Sequence, residues 1–322
     1  MSGSPLLPRD PRTGQGIDVL GIGQGSLDQV ARLPAFPAFA GKAAMRSWHE
    51  HPGGQIATAV LACARLGLRT AFVGSVGEDD AGRRTLAPLR AAGVDVSGVV
   101  VRAGVRSQGA MILVDETSGE RTVLWYRAPE LTLRPADLAE SALEGAGVVL
   151  LDAGDPELAI WVAERARVHR RPVVLDADTP SPEATALLGR VDFPIVPEAF
   201  ACATHGTTDP AEALRAMAKG GASFPVITRG VQGALAWHEG RMLEAPAFAV
   251  PVRDTTGAGD VFHGAFAWGL LRGLDGETLL RVANAAAGMN CRVAGAQGGL
   301  PTLPELRDFL SGHGWPMEGL RR

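Results

Sequence analysis

The heptapeptide Asp254-Thr255-Thr256-Gly257-Ala258-Gly259-Asp260 stands directly before residues 261–271, which have helical spacing. Glycines ahead of a helix leave backbone N–H groups free, and the helix dipole adds positive potential there, so the turn favours an anion. A carboxylate at that place, Asp260, is useful when it takes a proton from a nucleophile that attacks a bound phosphoryl group. The pattern indicates phosphoryl transfer, although taken alone it fits equally well a helix that Asp260 merely caps.

Around this motif, short apolar runs alternate with helix-length amphipathic stretches, which is typical of a parallel sheet covered by helices on both faces. The predicted strands are residues 17–22, 70–73, 148–151, 173–175, 193–196 and 225–228. The predicted helices outside the motif are residues 55–66, 79–92, 157–169 and 209–219. We therefore expect an α/β fold with a central, mainly parallel sheet.

Two segments break this rhythm and are expected to build a small second sheet. They are residues 26–52 and 99–127, and the second contains a predicted hairpin of strands 110–114 and 121–125. No linker separates two independent domains, so residues 17–322 are predicted to be one domain. Residues 1–16 are polar and rich in Pro, Gly and Arg, and are expected to be a disordered tail.

Composition excludes several classes of protein. The chain has 322 residues, 41 of them Gly, and 31 Lys and Arg against 35 Asp and Glu, so no basic surface for nucleic acid is expected. It has no run of 18 apolar residues and no apolar leader segment, which predicts no membrane span and a cytoplasmic protein. Its cysteines, Cys63, Cys202 and Cys291, are odd in number and far apart, so they are interpreted as reduced thiols.

Other motif-like stretches of the sequence do not predict a site. Residues 21–25 read Gly-Ile-Gly-Gln-Gly, but Ser26 follows where a dinucleotide site needs glycine, and no helix is predicted there. No GxxxxGK[ST] run is present, which excludes a P-loop kinase. The neighbours His49, Glu50 and His51 alternate between faces of an extended segment, so they do not predict a metal site.

The heptapeptide and several other motifs together resemble the ribokinase-like (phosphofructokinase B) carbohydrate kinases. The matching motifs, in chain order, are Asp28, Pro52-Gly53-Gly54-Gln55, Ala62 to Gly67, Phe72 to Asp79, Thr228-Arg229-Gly230 with Gly233, Asp254 to Gly264, and Gly295 to Pro301. The resemblance covers residues 17–311 in the family's order. Residues 107–110 and the hairpin at Arg121-Thr122 are similar to the ketohexokinase and sulfofructose kinase branch.

The resemblance implies roles for the residues of the heptapeptide. Asp260 would be the general base that deprotonates a primary hydroxyl of a sugar, and Gly257, Ala258 and Gly259 would offer backbone N–H groups to the transferred phosphoryl group. Asp254 and Thr256, with Gly295, match a loop that binds a monovalent cation, for which K⁺ is the candidate.

It also implies a sugar site and a nucleotide site. The substrate-binding candidates are Asp28, Gly53, Gly54, Gln55, Gln108 and Arg127. The nucleotide-binding candidates are Thr228, Gly230, Gly233 and Asn284. For Arg127 two hypotheses stand: a solvated surface side chain, or a guanidinium that pairs with an anionic group on the substrate.

The chain departs from the family pattern at two places. Gln55 replaces the Asn of many relatives and is one methylene longer, so its contact with a sugar hydroxyl should differ. The N-x-x-E motif that organises magnesium-bound water is absent from Pro197-Glu198-Ala199-Phe200-Ala201, where Glu198 is the nearest acid.

The resulting expectation is an ATP- and Mg²⁺-dependent kinase that phosphorylates a primary hydroxyl of a small sugar, with a ketose favoured. The alternatives are a nucleoside or 2-keto-3-deoxygluconate kinase of the same fold, and a sugar-binding regulator without catalysis. The small sheet is expected to close over the sugar as a lid, and lids of this kind imply a homodimer.

Overall fold

The computed structural model describes residue 6, residues 16–117 and residues 121–315. The strands in chain order are β1 Ile17–Ile22, β2 Ser26–Leu33, β3 Ser47–Gly53, β4 Thr70–Val73, β5 Ser75–Gly77, β6 Val100–Arg102, β7 Gly109–Asp115, β8 Arg121–Tyr126, β9 Ala146–Asp152, β10 Val173–Asp176, β11 Phe193–Pro197, β12 Val226–Thr228, β13 Ala234–His238 and β14 Arg241–Ala245. The tail predicted for residues 1–16 lies outside the described residues, apart from residues 6 and 16.

The helices follow the same alternation. They are α1 Gln55–Arg65, α2 Asp80–Ala91, α3 Glu140–Glu144, α4 Pro156–Val168, α5 Pro182–Leu188, α6 Glu198–His205, α7 Pro210–Lys219, α8 Ala258–Leu271, α9 Gly276–Asn290 and α10 Leu303–Gly312. Short 3₁₀ turns occur at Pro129–Leu131, Pro135–Asp137 and Gly230–Gln232. Within the described residues, no helix is long and apolar enough to cross a membrane.

The large sheet has eight strands in the order β14-β13-β12-β11-β10-β9-β1-β4. The six strands from β12 to β4 in this order run parallel, while β13 and β14 add an antiparallel pair at one edge. All of the strands predicted from apolar runs belong to it, which confirms the α/β fold. The carboxyl ends of the parallel strands share one edge, where ligands bind in folds of this kind.

The predicted second sheet is also present. Its order is β3-β2-β7-β8, and it is separate from the large sheet. The second predicted segment, residues 99–127, enters this sheet only at Gly109. The strand before it, β6, pairs with β5 instead. The predicted hairpin is the antiparallel pair β7 and β8, in the register Ala110 with Trp125.

Both faces of the large sheet are covered, as the continuous apolar strands predict. One buried cluster joins α1, α8, α9 and α10 to the sheet. A second cluster joins α4, α5 and α7 to the opposite face. Because hydrophobic burial stabilises both sides, the strand ends near the site are held firmly.

Helix α8 is central to the first cluster, where it packs against α1 and α9. A methyl group at Gly264 would lie 2.4 Å from the carbonyl oxygen of Ala59, so the small residues after the heptapeptide allow α1 and α8 to approach closely. The indole N–H of Trp268 donates to the Leu66 carbonyl at 3.1 Å. These contacts fix the direction in which the N-terminus of α8 points.

Candidate active site

The heptapeptide forms a turn that leads into α8, and the helix begins at Ala258. Gly257 is its N-cap with φ of 76°, and a Cβ there would lie 2.5 Å from the Ala296 carbonyl oxygen, so only glycine fits. The first helical hydrogen bond runs from the Val261 N–H to the Gly257 carbonyl at 2.9 Å. The N–H groups of Gly259 and Asp260 therefore have no acceptor within the helix.

The space in front of this helix end is open. A Cβ on Gly259 would meet no heavy atom within 4 Å. The Ala258 N–H, in contrast, already donates to the Thr255 carbonyl at 3.2 Å. Of the three predicted groups the Ala258 N–H is therefore engaged, so an anion at this end would bind the N–H group of Gly259 together with that of Asp260.

Asp260 lies in the first turn of α8 and not in the loop before it. Burial and the neighbouring Asp176 carboxylate raise the pKa of Asp260 well above its usual value, and Asp178 and Asp28 act in the same direction. His263, one turn further along the same face of the helix, opposes this rise. Such a carboxylate holds a proton more readily than an exposed aspartate, as a general base near neutral pH requires.

Two carboxylates that sequence reasoning did not single out lie at the carboxyl ends of neighbouring strands. Asp152 of β9 and Asp176 of β10 are paired in register. Asp152 accepts hydrogen bonds from the N–H groups of Gln24 at 2.7 Å and Gly154 at 2.9 Å, while burial raises its pKa to about 6. Their signal in the sequence is an aspartate that ends a fully buried apolar strand.

Asp28 faces this edge from β2 of the small sheet. Burial raises the pKa of Asp28 to about 6, although hydrogen bonds from the Ser26 hydroxyl and the Ala110 N–H lower it in part. A Cβ on Gly53 would lie 2.4 Å from an Asp28 carboxylate oxygen, and one on Gly54, where φ is 91°, would lie 2.5 Å from the Gly25 Cα. The backbone packing thus requires glycine at position 54 independently of any sugar, whereas a side chain at position 53 would displace the Asp28 carboxylate.

The two predicted glutamine ligands contact residues of the same region. The Gln55 side chain hydrogen-bonds the Asp176 carboxylate, so its extra methylene reaches the end of β10. The Gln108 amide donates to the side-chain oxygen of Gln24. Both glutamines therefore line the edge that carries Asp152 and Asp176.

The Arg127 side chain is largely shielded from solvent, so its interpretation as a solvated surface residue is wrong. Its guanidinium forms a bidentate ion pair with Asp155, with both N···O distances 2.7 Å, and the two side chains are 13% and 6% exposed. It also donates to the carbonyls of Gly154 at 3.3 Å and Leu131 at 3.0 Å. Four of its five N–H groups bind protein atoms, which leaves little capacity for a substrate anion.

The predicted nucleotide residues lie around the end of β14. Gly233 has φ of 88°, and a Cβ there would lie 2.1 Å from the Ala245 carbonyl oxygen. The buried Asn284 amide donates to the same carbonyl at 2.9 Å, so it is not a helix-surface amide. Thr228 ends β12 and Gly230 begins the 3₁₀ turn that follows.

The three residues predicted for a monovalent cation are joined by one carboxylate. Asp254 accepts hydrogen bonds from the N–H groups of Thr256 and Gly295, each at 2.9 Å. Although burial raises the pKa of Asp254, these bonds hold it below the usual value. Asn290, which is fully buried, ties the same loops together by donating to the carbonyls of Thr256 and Ala296.

The small sheet touches the heptapeptide directly. Arg121 of β8 donates to the Thr255 hydroxyl at 2.6 Å, and Arg32 of β2 donates to the Arg253 carbonyl at 3.2 Å. The ring of His51 on β3 lies beside Gly295. These contacts place the small sheet across the edge where Asp28, Asp176 and Asp260 converge.

Within the part of the chain that the structure describes, no group of three or more His, Cys, Asp or Glu side chains forms a metal site. The described cysteines are all free, and Cys63 is fully buried with its pKa raised by that burial. Glu198, the nearest acid at the missing N-x-x-E position, is the first residue of α6, directly after β11.

An α/β sheet with a small covering sheet, an open helix N-terminus and a carboxylate in its first turn defines a carbohydrate kinase of the ribokinase fold. A family model of the pfkB carbohydrate kinases matches residues 18–303. The chain belongs to this pfkB family of carbohydrate kinases, and it is a phosphotransferase with an alcohol group as acceptor.

The relatives differ in their substrates. The chain is 31% identical over 294 residues to Bacillus subtilis ribokinase, covering 90% of this chain and 98% of the relative. It is 26% identical over 290 residues to Bacillus subtilis 5-dehydro-2-deoxygluconokinase, with coverage of 82% and 88%. Arabidopsis thaliana ribokinase complexed with ribose and ATP has the same fold, with a TM-score of 0.80, 24% identity and coverage of 92% and 99%.

Proposed function

We propose that this kinase transfers the γ-phosphoryl group of ATP to a primary hydroxyl of a small uncharged sugar, with ribose and ketoses as the first candidates. The observation that carries the proposal is the placement of Asp260 beside the open N–H groups of Gly259 and Asp260 at the start of α8. The ribokinase relatives favour ribose, and residues 107–110 with the hairpin favour a ketose.

The Asp260 carboxylate accepts the proton of the attacking hydroxyl, while the backbone N–H groups bind the oxygens of the transferred phosphoryl group. Asp28 and Asp152 accept hydrogen bonds from other sugar hydroxyls and orient the reacting one. The contacts of Arg121 and Arg32 hold the small sheet over the sugar, which excludes water that would hydrolyse ATP. Each of these steps uses groups that already converge on one edge of the large sheet.

Mg²⁺ fits this site as a companion of the nucleotide. Mg²⁺ usually binds through one or two carboxylates, phosphate oxygens and water, so it does not need an all-protein cage. Glu198, at the carboxyl end of β11, is the carboxylate that would hold it through water. When bound with ATP, Mg²⁺ supplies neutralisation of the phosphate charge.

The charges at the site favour an uncharged sugar over an acidic one. Asp28, Asp152 and Asp176 are buried at the same edge, and any of them that is ionised would repel a substrate carboxylate. The nearby guanidinium of Arg127 is engaged by Asp155 and two carbonyls. This arrangement supports an uncharged substrate rather than an acidic one of the kind that the name of the 5-dehydro-2-deoxygluconokinase relatives indicates.

The test is a panel of ribose, ketoses, aldoses, acidic sugars and nucleosides, measured by ATP-dependent ADP release and by thermal shift. An uncharged sugar should give the highest kcat/KM. A bound sugar at 100 times its Kd adds about 2.7 kcal/mol of stability. Preference for an acidic sugar or a nucleoside would overturn the assignment, and binding without ADP release would favour a non-catalytic regulator.

Two further proposals concern the assembly and the cation. The face of the small sheet opposite Asp28 exposes Trp48, Met111, Leu124 and Tyr126, which supports a homodimer formed through this face. Light scattering of wild type and Leu124→Lys tests this proposal.

For K⁺, the loop held by Asp254 is the candidate binding site. Activity measured in KCl and in choline chloride tests it.

A further inference from the structure

His263 is a buried histidine at the centre of the site, and it has no role in the mechanism derived so far. It lies on α8 one turn after Asp260 and is 4% exposed. Its side chain points at the ends of β10 and β11, between the helix and the large sheet. A titratable ring at this place acts directly on the charge of the site.

The contacts of the ring are all with hydrogen-bond acceptors. Nδ1 lies 2.7 Å from the Gly259 carbonyl oxygen, and Nε2 lies 3.1 Å from the Ile195 carbonyl oxygen. Nδ1 is also 3.6 Å from a carboxylate oxygen of Asp176. A carbonyl oxygen only accepts, and a neutral imidazole has a single N–H. Only the doubly protonated ring therefore donates to both carbonyls.

The proton that this ring needs is available in the site. Burial lowers the pKa of His263 and raises those of Asp176 and Asp260, because burial favours the neutral form of each group. With all three neutral, one ring nitrogen would face a carbonyl oxygen without a proton. Moving one proton from a carboxyl group to the ring removes that repulsion and pairs the ring with a carboxylate.

The other charged groups around the site make a cation there favourable. Asp28 faces Asp260 from β2, Asp152 faces Asp176 from β9, and Asp178 follows β10. Gln55 contributes a hydrogen bond to Asp176 but no charge. An excess of carboxylates in one buried region is stabilised by a single positive charge among them.

We propose that His263 is a positioning residue of the kinase reaction: paired with Asp176, it carries a positive charge beside Asp260 and fixes the first turn of α8 through Gly259. The positive ring lowers the pKa of Asp260, so that Asp260 loses its own proton to solvent more readily and can accept the hydroxyl proton. The Gly259 carbonyl belongs to the same turn whose N–H groups meet the phosphoryl group. This role rests on the proposed function of Asp260, but the state of the ring does not.

The first test observes the ring itself, by NMR of ¹⁵N-histidine-labelled full-length protein, with His263→Asn used to assign the signals. Both ring nitrogens of His263 should be protonated at pH 7 in wild type. In Asp176→Asn the ring should lose its second proton at a lower pH. A ring with one unprotonated nitrogen throughout pH 6 to 8 in wild type would overturn the proposal, even if no sugar is turned over.

The second test measures kcat against pH for His263→Asn on the best sugar of the panel. Without the positive charge, the acid limb of the profile should move up by about one pH unit, since a nearby charge shifts a carboxyl pKa by about this much. The loss of kcat should then be about tenfold on the acid side and disappear at high pH, with KM for ATP and sugar changed less than twofold. A loss of equal size at every pH would mean a purely structural residue and contradict the proposal.

His313 offers a matched control. Its Nδ1 contacts the carbonyl four residues earlier, Phe309, at 2.7 Å, as His263 does with Gly259, but His313 is the exposed C-cap residue of α10. His313→Asn should leave the pH profile unchanged.

Discussion

Arg127 and Asp155 form a bidentate ion pair that joins the two sheets of this kinase. Arg127 directly follows β8 of the small sheet, and Asp155 precedes α4, which follows β9 of the large sheet. Asp155 is buried and Arg127 is largely shielded from solvent, so the pair acts as a fixed anchor for one end of the small sheet. The contacts of Arg121 with the heptapeptide, and of Arg32 with Arg253 directly before it, hold the small sheet at a different place.

Removing Arg127 should strongly destabilise the protein. Arg127→Ala leaves a buried, unpaired Asp155, which typically costs about 3–5 kcal/mol in the free energy of unfolding. Urea denaturation measures this loss. The double variant Arg127→Met with Asp155→Leu should lose less, because no buried charge is left over. A loss below about 0.5 kcal/mol for Arg127→Ala would contradict the anchor role.

The same variant separates anchoring from substrate binding. If Arg127 only anchors the small sheet, kcat/KM should fall by the same factor on acidic and uncharged sugars. A selective loss on acidic sugars would show instead that the guanidinium binds a substrate anion.

Alanine at the two glycines of the heptapeptide should have opposite effects on stability. Gly257→Ala places a Cβ against the Ala296 carbonyl at a backbone φ of 76°, so we expect a loss of about 1–3 kcal/mol. Gly259→Ala meets open space and replaces glycine within a helix, so stability should hold or rise by about 0.5–1 kcal/mol.

Activity distinguishes these glycine variants further. The Cβ of Gly259→Ala would enter the space assigned to the phosphoryl group, so kcat should fall about 100-fold in a well-folded protein. Wild-type turnover in this variant would mean that the phosphoryl group binds elsewhere.

Asp152 should make stability depend on pH. Its pKa is about 6 in the folded protein and 3.8 in the unfolded chain, so the folded state binds more protons between these values. The free energy of unfolding therefore falls as pH rises from about 4 to 6, by about 3 kcal/mol from this group.

Asn at position 152 does not titrate. The stability of Asp152→Asn relative to wild type should therefore increase from pH 4 to pH 6 and stay level above it. Urea denaturation at several pH values measures the difference. The control is Asp80→Asn, an exposed position where the difference should stay within about 0.5 kcal/mol. An equal difference for Asp152→Asn at every pH would argue against the raised pKa.

The fold was predictable because its signals are local. Apolar runs such as Ile17–Ile22 and Thr70–Val73 are strands with the predicted bounds, since a buried parallel strand needs a continuous apolar stretch. The open helix start after the glycines of the heptapeptide was also predictable, because glycines ahead of an apolar helix leave N–H groups free. The antiparallel pair β13 and β14 was not predicted, because short edge strands carry little periodic signal.

The carboxylates and the histidine of the site were harder to predict because their neighbours are distant in sequence. Asp152 and Asp176 meet only through the register of β9 and β10. His263 acquires its partners from β10 and β11, and in sequence it is one residue in an apolar helix. The sequence left open whether Arg127 is a solvated surface residue, because no local pattern indicates that it pairs with Asp155.

The central claim is that Asp260 is the base of a phosphoryl transfer to a sugar. The most direct test is kcat of Asp260→Asn on the best sugar, with ATP binding measured by calorimetry on the same protein. We expect kcat to fall by about 10²–10⁴ while the Kd for ATP changes less than twofold, because Asn keeps the shape but accepts no proton. Turnover within threefold of wild type would contradict this assignment.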